Sequence, residues 1–292
     1  MRLRKDINLG TLLALPPASL GWRSSWGEQL AMLRDMGVEG AQAWDGFDEI
    51  HRAGLLPLGM AHATRPDELD AIARRHASQG LGFTNLHLGT GFDSDDEMDA
   101  LAGALLEAQA RHGHRLLVET HRATATQDIW RTLRWVERFP DLRFTADLSH
   151  WYTGHEMTYG GEFDHRRQRL QPVLQRCLAL HGRIGNSGCL QTPLNRPGRY
   201  VSHYRQLWTS VCAGFLAHAQ PTDVLSFAPE LLPMAVGEPP MWLHYQQSVQ
   251  ALPGDPWCGE PSDRMADAEA LWDLAQQCFD AATAARSDTA LT

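Results

Sequence analysis

Apolar and polar positions follow a slow rhythm along this chain: a short, extended apolar run, then a stretch whose apolar residues recur at helical spacing. Ile7 to Leu15 reads as a strand, and after the turn signals Pro16 and Pro17 the stretch Ser25 to Met36 reads as an amphipathic helix. Gly37 stops it, and Val38 to Trp44 reads as the second strand. Leu55 to Ala61 is the third, followed by a helix over Pro66 to Gln79, with Pro66 suited to the first turn and Gly80 to the stop. After a fourth strand, Leu81 to Leu88, a helix is predicted from Ser94 to His112. Ser94 and Glu97 form a capping box there, and the acidic first turn (Asp95, Asp96, Glu97) complements the helix dipole. The unit recurs in strands at Arg115 to Thr120, Arg143 to Leu148, Leu178 to Ile184 and Val224 to Pro229. Their helices run through Gln127 to Phe139, Arg167 to Cys177 and Tyr204 to His218. A last helix, Asp263 to Arg286, is expected to dock outside, with Ser287 to Thr292 fraying.

Strand and helix alternating without a break predict an α/β protein, a single (β/α)8 TIM barrel with an extra C-terminal helix. A doubly wound open sheet is disfavoured because no GxGxxG turn follows the first strand. The 292 residues fit one domain, 1–292, with the barrel at about 6–235 and an extension at 236–292.

In this fold the active site lies at the C-terminal ends of the strands. The third strand ends at His62, the fourth at His87, the fifth at Glu119 and the sixth at Asp147, with His150 three residues on; the seventh ends at His181 and the eighth at Glu230. Carboxylates and an imidazole gathered in one apolar mouth repel or stay protonated unless a cation joins them. Glu119, Asp147, His181 and Glu230 are therefore expected to hold a divalent metal ion. Oxygen and nitrogen donors without sulfur suit Mn, Mg, Co, Zn or Fe alike. His62, His87 and His150 are candidate substrate contacts, whereas His112, His114, His121 and His155 lie in polar contexts that suggest the surface. Trp22, Trp44, Trp151 and Trp257 can wall a pocket, although aromatic residues near strand ends more often pack the core.

Charge and cysteine usage narrow the field. A net charge of −9 works against a nucleic-acid partner. Five cysteines (Cys177, Cys189, Cys212, Cys258, Cys278), with no CxxC pair, fit free thiols in a reducing compartment. No apolar run reaches the roughly 20 residues of a membrane span, and the start runs into a strand with no signal-peptide pattern; a cytoplasmic protein is expected.

VETH (Val118 to His121), FTADLSHW (Phe144 to Trp151), LHGRIG (Leu180 to Gly185) and FAPEL (Phe227 to Leu231) together resemble the xylose isomerase-like TIM-barrel superfamily, in its sugar phosphate isomerase/epimerase branch. The resemblance covers most of the chain. It implies that Glu119 and Glu230 bind the metal and also move protons as the catalytic pair, that Asp147 and His181 are pure ligands, and that His150 and Arg183 contact substrate. The implied reaction is isomerisation or epimerisation of a sugar or related hydroxycarbonyl compound through a metal-stabilised enediolate. Expelling a β-hydroxyl instead would make the protein a lyase or dehydratase. An apurinic endonuclease-like phosphodiesterase is the more distant alternative: it shares the barrel and uses histidines where His62 and His87 stand, but the chain lacks the Asp-x-His pair after His181. The segment Asn186 to Tyr200 departs from the family pattern, leaving Gln191 and Arg199 as candidates for the far end of the substrate. Barrels of this type often pair, so a homo-oligomer belongs among the expectations.

Overall fold

A computed structural model describes residues 1–159, 162–195, 198–236, 241–242, 245, 254 and 259–290. Eight parallel strands close into a barrel in chain order, each hydrogen-bonded to its sequence neighbours and the first to the last. They are β1 Arg2–Asn8, β2 Gly40–Ala43, β3 Leu56–Ala63, β4 Thr84–Leu88, β5 Leu116–Glu119, β6 Phe144–Ala146, β7 Cys177–Gly182 and β8 Val224–Pro229. The helices are α1 Trp26–Asp35, α2 Phe47–Arg52, α3 Pro66–Ser78, α4 Asp95–His112, α5 Ile129–Arg138, α6 Leu148–Gly154, α7 Phe163–Leu174, α8 Arg199–His218 and α9 Arg264–Ala290. No helix among the described residues is long and apolar enough to cross a membrane.

The capping box predicted at Ser94 forms, and the structure adds a second one at Ser25, each worth about 1 kcal/mol to its helix. Pro66 opens α3. Elsewhere tertiary contacts override the local pattern. The first strand is Arg2–Asn8 rather than Ile7 to Leu15, because Arg2 to Lys5 pair with β8, while Leu9–Leu12 turns into a short 3-10 helix that buries Leu9 and Leu12. Two short helices, α2 and α6, stand where only loops were expected; both are shorter than two full turns and carry little periodicity. The last helix continues to Ala290, past the point where fraying was expected. It packs on α8 and β8, burying Leu271, Leu274, Ala275, Cys278 and Phe279. Cys177, Cys189, Cys212 and Cys278 are free thiols; Cys258 lies outside the described residues.

Below the site, Thr84 Oγ1 sits between two buried imidazoles, His76 Nδ1 at 2.7 Å and His114 Nε2 at 2.8 Å. His114, expected at the surface, is 5% exposed. Burial pushes His76 down from 6.5 to about 4 and lowers His114 as well. Because the folded pKa lies below the unfolded one, unfolding takes up protons as pH falls below about 6.5, and stability drops until about 4. Urea unfolding at pH 7.5 and 5 is expected to show this loss, and His76→Gln to be weaker at pH 7.5 with a flatter pH slope. Equal slopes in the two proteins would remove His76 from the explanation.

Candidate metal centre

The cluster is assembled by the ends of β5 to β8. Glu119 closes β5, Asp147 follows β6 as the N-cap of α6, His181 lies near the end of β7, and Glu230 follows β8. Gly182 lets the last two strands approach, since a Cβ there would stand 2.6 Å from the Phe227 ring and 3.1 Å from Pro229 Cα. One donor atom from each of the four residues lies within 4.8 Å of all the others. All are buried: Glu119 and His181 at 1% exposure, Asp147 at 0% and Glu230 at 7%.

Each side chain is aimed by a second partner. His181 Nε2 donates to Gln42 Oε1 at 2.8 Å, which turns Nδ1 toward the carboxylates. Nδ1 stands 2.9 Å from Glu230 Oε2, 3.6 Å from Glu119 Oε1 and 3.9 Å from Asp147 Oδ2. Asp147 Oδ1 accepts from the Ser149 N–H at 3.0 Å and its hydroxyl at 2.6 Å, leaving Oδ2 to face the cluster, where Arg183 Nη2 donates to it. Glu119 Oε2 accepts from Asn85 Nδ2 and stands 3.0 Å from His87 Nε2.

The remaining donor atoms decide what the site suits. Glu119 Oε1, His181 Nδ1 and Glu230 Oε2 are buried and make no hydrogen bond, yet they face one another. An unsatisfied buried polar atom costs about 1–3 kcal/mol, and more when charged. Three of them converging with Asp147 Oδ2 form a set of hard oxygen and borderline nitrogen donors that fits a divalent cation. The titration behaviour agrees. Burial alone would lower His181, but the Glu230 and Glu119 carboxylates hold it well above its ordinary pKa, so the pocket favours positive charge. Burial alone would raise Asp147, but Arg183 and His150 hold it far below the usual carboxylate range. Glu119 is likewise depressed against its burial by His87 and His181.

The cluster opens into a cavity of about 550 Å³ whose lining includes His87, His121, Arg183 and Glu230. His87 therefore reaches both cavity and cluster. His150 is 4% exposed and does not line the cavity; it stands behind Arg183, its Nε2 accepting from Arg183 Nη2 at 3.1 Å. His62 pairs in register with His87 but is exposed and does not line this cavity, so the structure does not bring it into the site. His121, read from its neighbours as a surface residue, is a correction: it lines the cavity, its ring 4.4 Å from His87 and 3.9 Å from His150. His87, Glu119 and His121 also form a second group with metal-ligand spacing. The place of His121 two residues beyond Glu119 puts it on the face of the strand ends, but that its ring enters the cavity depends on His87 and His150. His112 is half-buried and His155 exposed.

Of the tryptophans, Trp44 lines the cavity, Trp22 does not, Trp151 is buried in the core, and Trp257 lies outside the described residues. Trp26 and Tyr245 line it without having been singled out. Gln191 is buried and bonds the Leu232 backbone, and Arg199 starts α8; neither lines the cavity.

A closed eight-stranded parallel barrel with this carboxylate and imidazole cluster at its C-terminal face defines a (β/α)8 TIM barrel with a candidate metal centre. No protein-family model matches the sequence, and no curated protein matches it. Solved structures share the fold. An L-ribulose 3-epimerase superposes with a TM-score of 0.60 over 98% of both chains at 14% identity. A xylose isomerase-like TIM barrel protein from Mycobacterium smegmatis, in complex with magnesium, gives 0.55 over 95% of this chain and 98% of its own at 12% identity. A probable 3-DHS dehydratase from Bacillus anthracis, involved in petrobactin synthesis, gives 0.54 over 78% of this chain and 93% of its own, also at 12%.

Proposed function

We propose that this chain is a divalent-metal-dependent isomerase or epimerase acting on a sugar or related hydroxycarbonyl compound. The observation that carries the reading is the convergence of three buried donor atoms that make no hydrogen bond, Glu119 Oε1, His181 Nδ1 and Glu230 Oε2, at the foot of an open cavity. Glu119, Asp147, His181 and Glu230 would hold the ion, and Mn, Mg, Co, Zn and Fe all fit this donor set. When bound, the ion supplies Lewis-acid polarisation of a carbonyl, which lowers the cost of removing the neighbouring proton.

The chain's own residues do the rest. Glu230 lines the cavity and Glu119 stands just behind His87, and one carboxylate takes the proton while the other returns it. Asn85 and His87 fix Glu119 through its Oε2, which keeps Oε1 on the side of the ion. Arg183 lines the cavity and stands 3.5 Å from Glu230 Oε2, orienting that carboxylate toward the bound substrate. His87 and His121 form part of the wall beside Glu119, where a substrate hydroxyl would meet them.

That last placement supports a second reading, a lyase or dehydratase, because an imidazole beside the proton-abstracting carboxylate can protonate a departing hydroxyl. The phosphodiesterase reading loses ground, since it calls on His62, which is exposed and outside the cavity.

Incubating metal-loaded protein with a panel of hydroxyketones and aldoses in D2O tests the proposal by NMR and product mass. The expected result is deuterium at the carbon next to the carbonyl. Unchanged product mass apart from deuterium marks isomerisation, and loss of water marks dehydration. Glu119→Gln and Glu230→Gln are each expected to slow exchange by at least about 100-fold; wild-type exchange in both would sink their assigned roles.

A further inference from the structure

We propose that the outer half of the cavity recognises a planar aromatic group, so that the substrate is an uncharged hydroxycarbonyl compound bearing an aryl substituent. This deepens the metal-dependent isomerase reading above and takes the centre at the cavity floor from it. The cavity runs from Glu230, His87 and His121 at its base out to Asp45 and Glu49 at its rim. Between them the wall is apolar, made of Leu9, Leu13, Trp26, Trp44, Met60 and Leu232.

Three of these are large apolar side chains left open: Trp44 at 54%, Leu13 at 49% and Trp26 at 37% exposure. Single exposed apolar residues are ordinary, but three that share one concave wall above a reactive centre mark a binding surface. Their positions are set by the fold. Trp44 follows β2, Trp26 opens α1, and Leu13 follows the short 3-10 helix after β1, so three successive segments of the barrel mouth contribute.

Among the polar side chains on this wall, Asn8 and the carbonyl oxygen of Gln42 are already engaged. Asn8 Nδ2 donates to Gln42 Oε1, and Gln42 Oε1 accepts from His181. A bare sugar chain, which needs a donor or acceptor for each hydroxyl, finds few partners there. A phosphate fares worse. Arg183 is the one Lys or Arg among the described lining residues, and it is bound to Asp147 and Ser149. Asp45 and Glu49 put negative charge at the rim, and Asp48 and Glu49 fill the first turn of α2.

An aromatic ring meets none of these objections. The Trp44 ring already stands edge-on to His87, with centroids 5.5 Å apart at 76°, and His87 touches Glu119. A second ring packed on Trp44 therefore lies next to the centre, which puts the aryl group near the reacting carbon.

The test is calorimetric titration of Mn2+-loaded protein with four probes: 2-hydroxyacetophenone, dihydroxyacetone, fructose and dihydroxyacetone phosphate. The aryl ketone is expected to bind at least about tenfold tighter than dihydroxyacetone. Trp44→Ala should erase that advantage, Trp44→Phe should keep most of it, and metal content should be the same in all three proteins. Tighter binding of the phosphate ester or of fructose would overturn the proposal, as would an aryl preference that survives Trp44→Ala. The same titration with acetophenone, which lacks the hydroxyl, separates the two readings. If the protein takes up no divalent ion but binds acetophenone through Trp44, the aromatic site stands and the reading of the centre falls.

Discussion

Asp147→Asn/His181→Ala is expected to yield a folded protein that no longer retains a divalent ion, against about one per chain in the wild type, read by elemental analysis after dialysis. The asparagine side chain keeps the shape of the aspartate and its contact with the start of α6, and Arg183 keeps Glu230 as a carboxylate neighbour, so the barrel should survive. What disappears is a charged oxygen and the nitrogen standing 2.9–3.9 Å from all three carboxylates. Circular dichroism confirms the fold, and equal metal content in the two proteins would overturn the assignment.

The same centre has a defined pH dependence. His181 must give up its proton to become a ligand, and its carboxylate neighbours hold that proton well above the ordinary imidazole range. Metal retention in the wild type is therefore expected to weaken as pH falls through and below neutrality.

Arg264→Met should be the most damaging single change outside the centre. The guanidinium is 1% exposed, binds Glu260 at 2.8 Å, and donates to the carbonyls of Thr11 at 2.9 Å and Leu13 at 2.6 Å. Methionine fills much the same space but leaves Glu260 without its partner and two carbonyls without donors. Breaking a buried pair from one side costs about 3–5 kcal/mol. Urea unfolding is expected to show a loss of that size with an unchanged slope. Because Arg264 ties α9 to the chain just beyond β1, and Leu13 walls the cavity, ligand affinity should weaken along with stability. A loss below about 1 kcal/mol would mean that water replaces the guanidinium.

His121 shows where reading the chain alone falls short. Its neighbours Arg122 and Thr124 are polar, so local composition places it outside, but its ring lies between His87 from β4 and His150 from α6. That stack depends on residues distant in sequence, which no window around residue 121 contains. His62 fails in the opposite direction: it sits in register with His87, yet it is exposed and outside the cavity. The same reasoning covers α2 and α6, whose few residues hold too little periodicity to stand out from loops.

The alternation of short apolar and helical runs, with glycines and a cap at the breaks, was enough to specify a closed parallel barrel. Because side chains at the ends of parallel strands share one face, it also specified that Glu119, Asp147, His181 and Glu230 come to the same mouth. Those are consequences of local pattern and of one topological rule. The orientation of each donor was settled elsewhere: Gln42 on β2 turns His181, Arg183 after β7 splits the charge of Asp147, and Asn85 on β4 fixes Glu119. The apolar wall of Leu13, Trp26 and Trp44 likewise comes from segments adjacent only once the barrel has closed. Hydrogen-bond direction and cavity shape depend on which side chains meet across the barrel, and only the tertiary structure decides that.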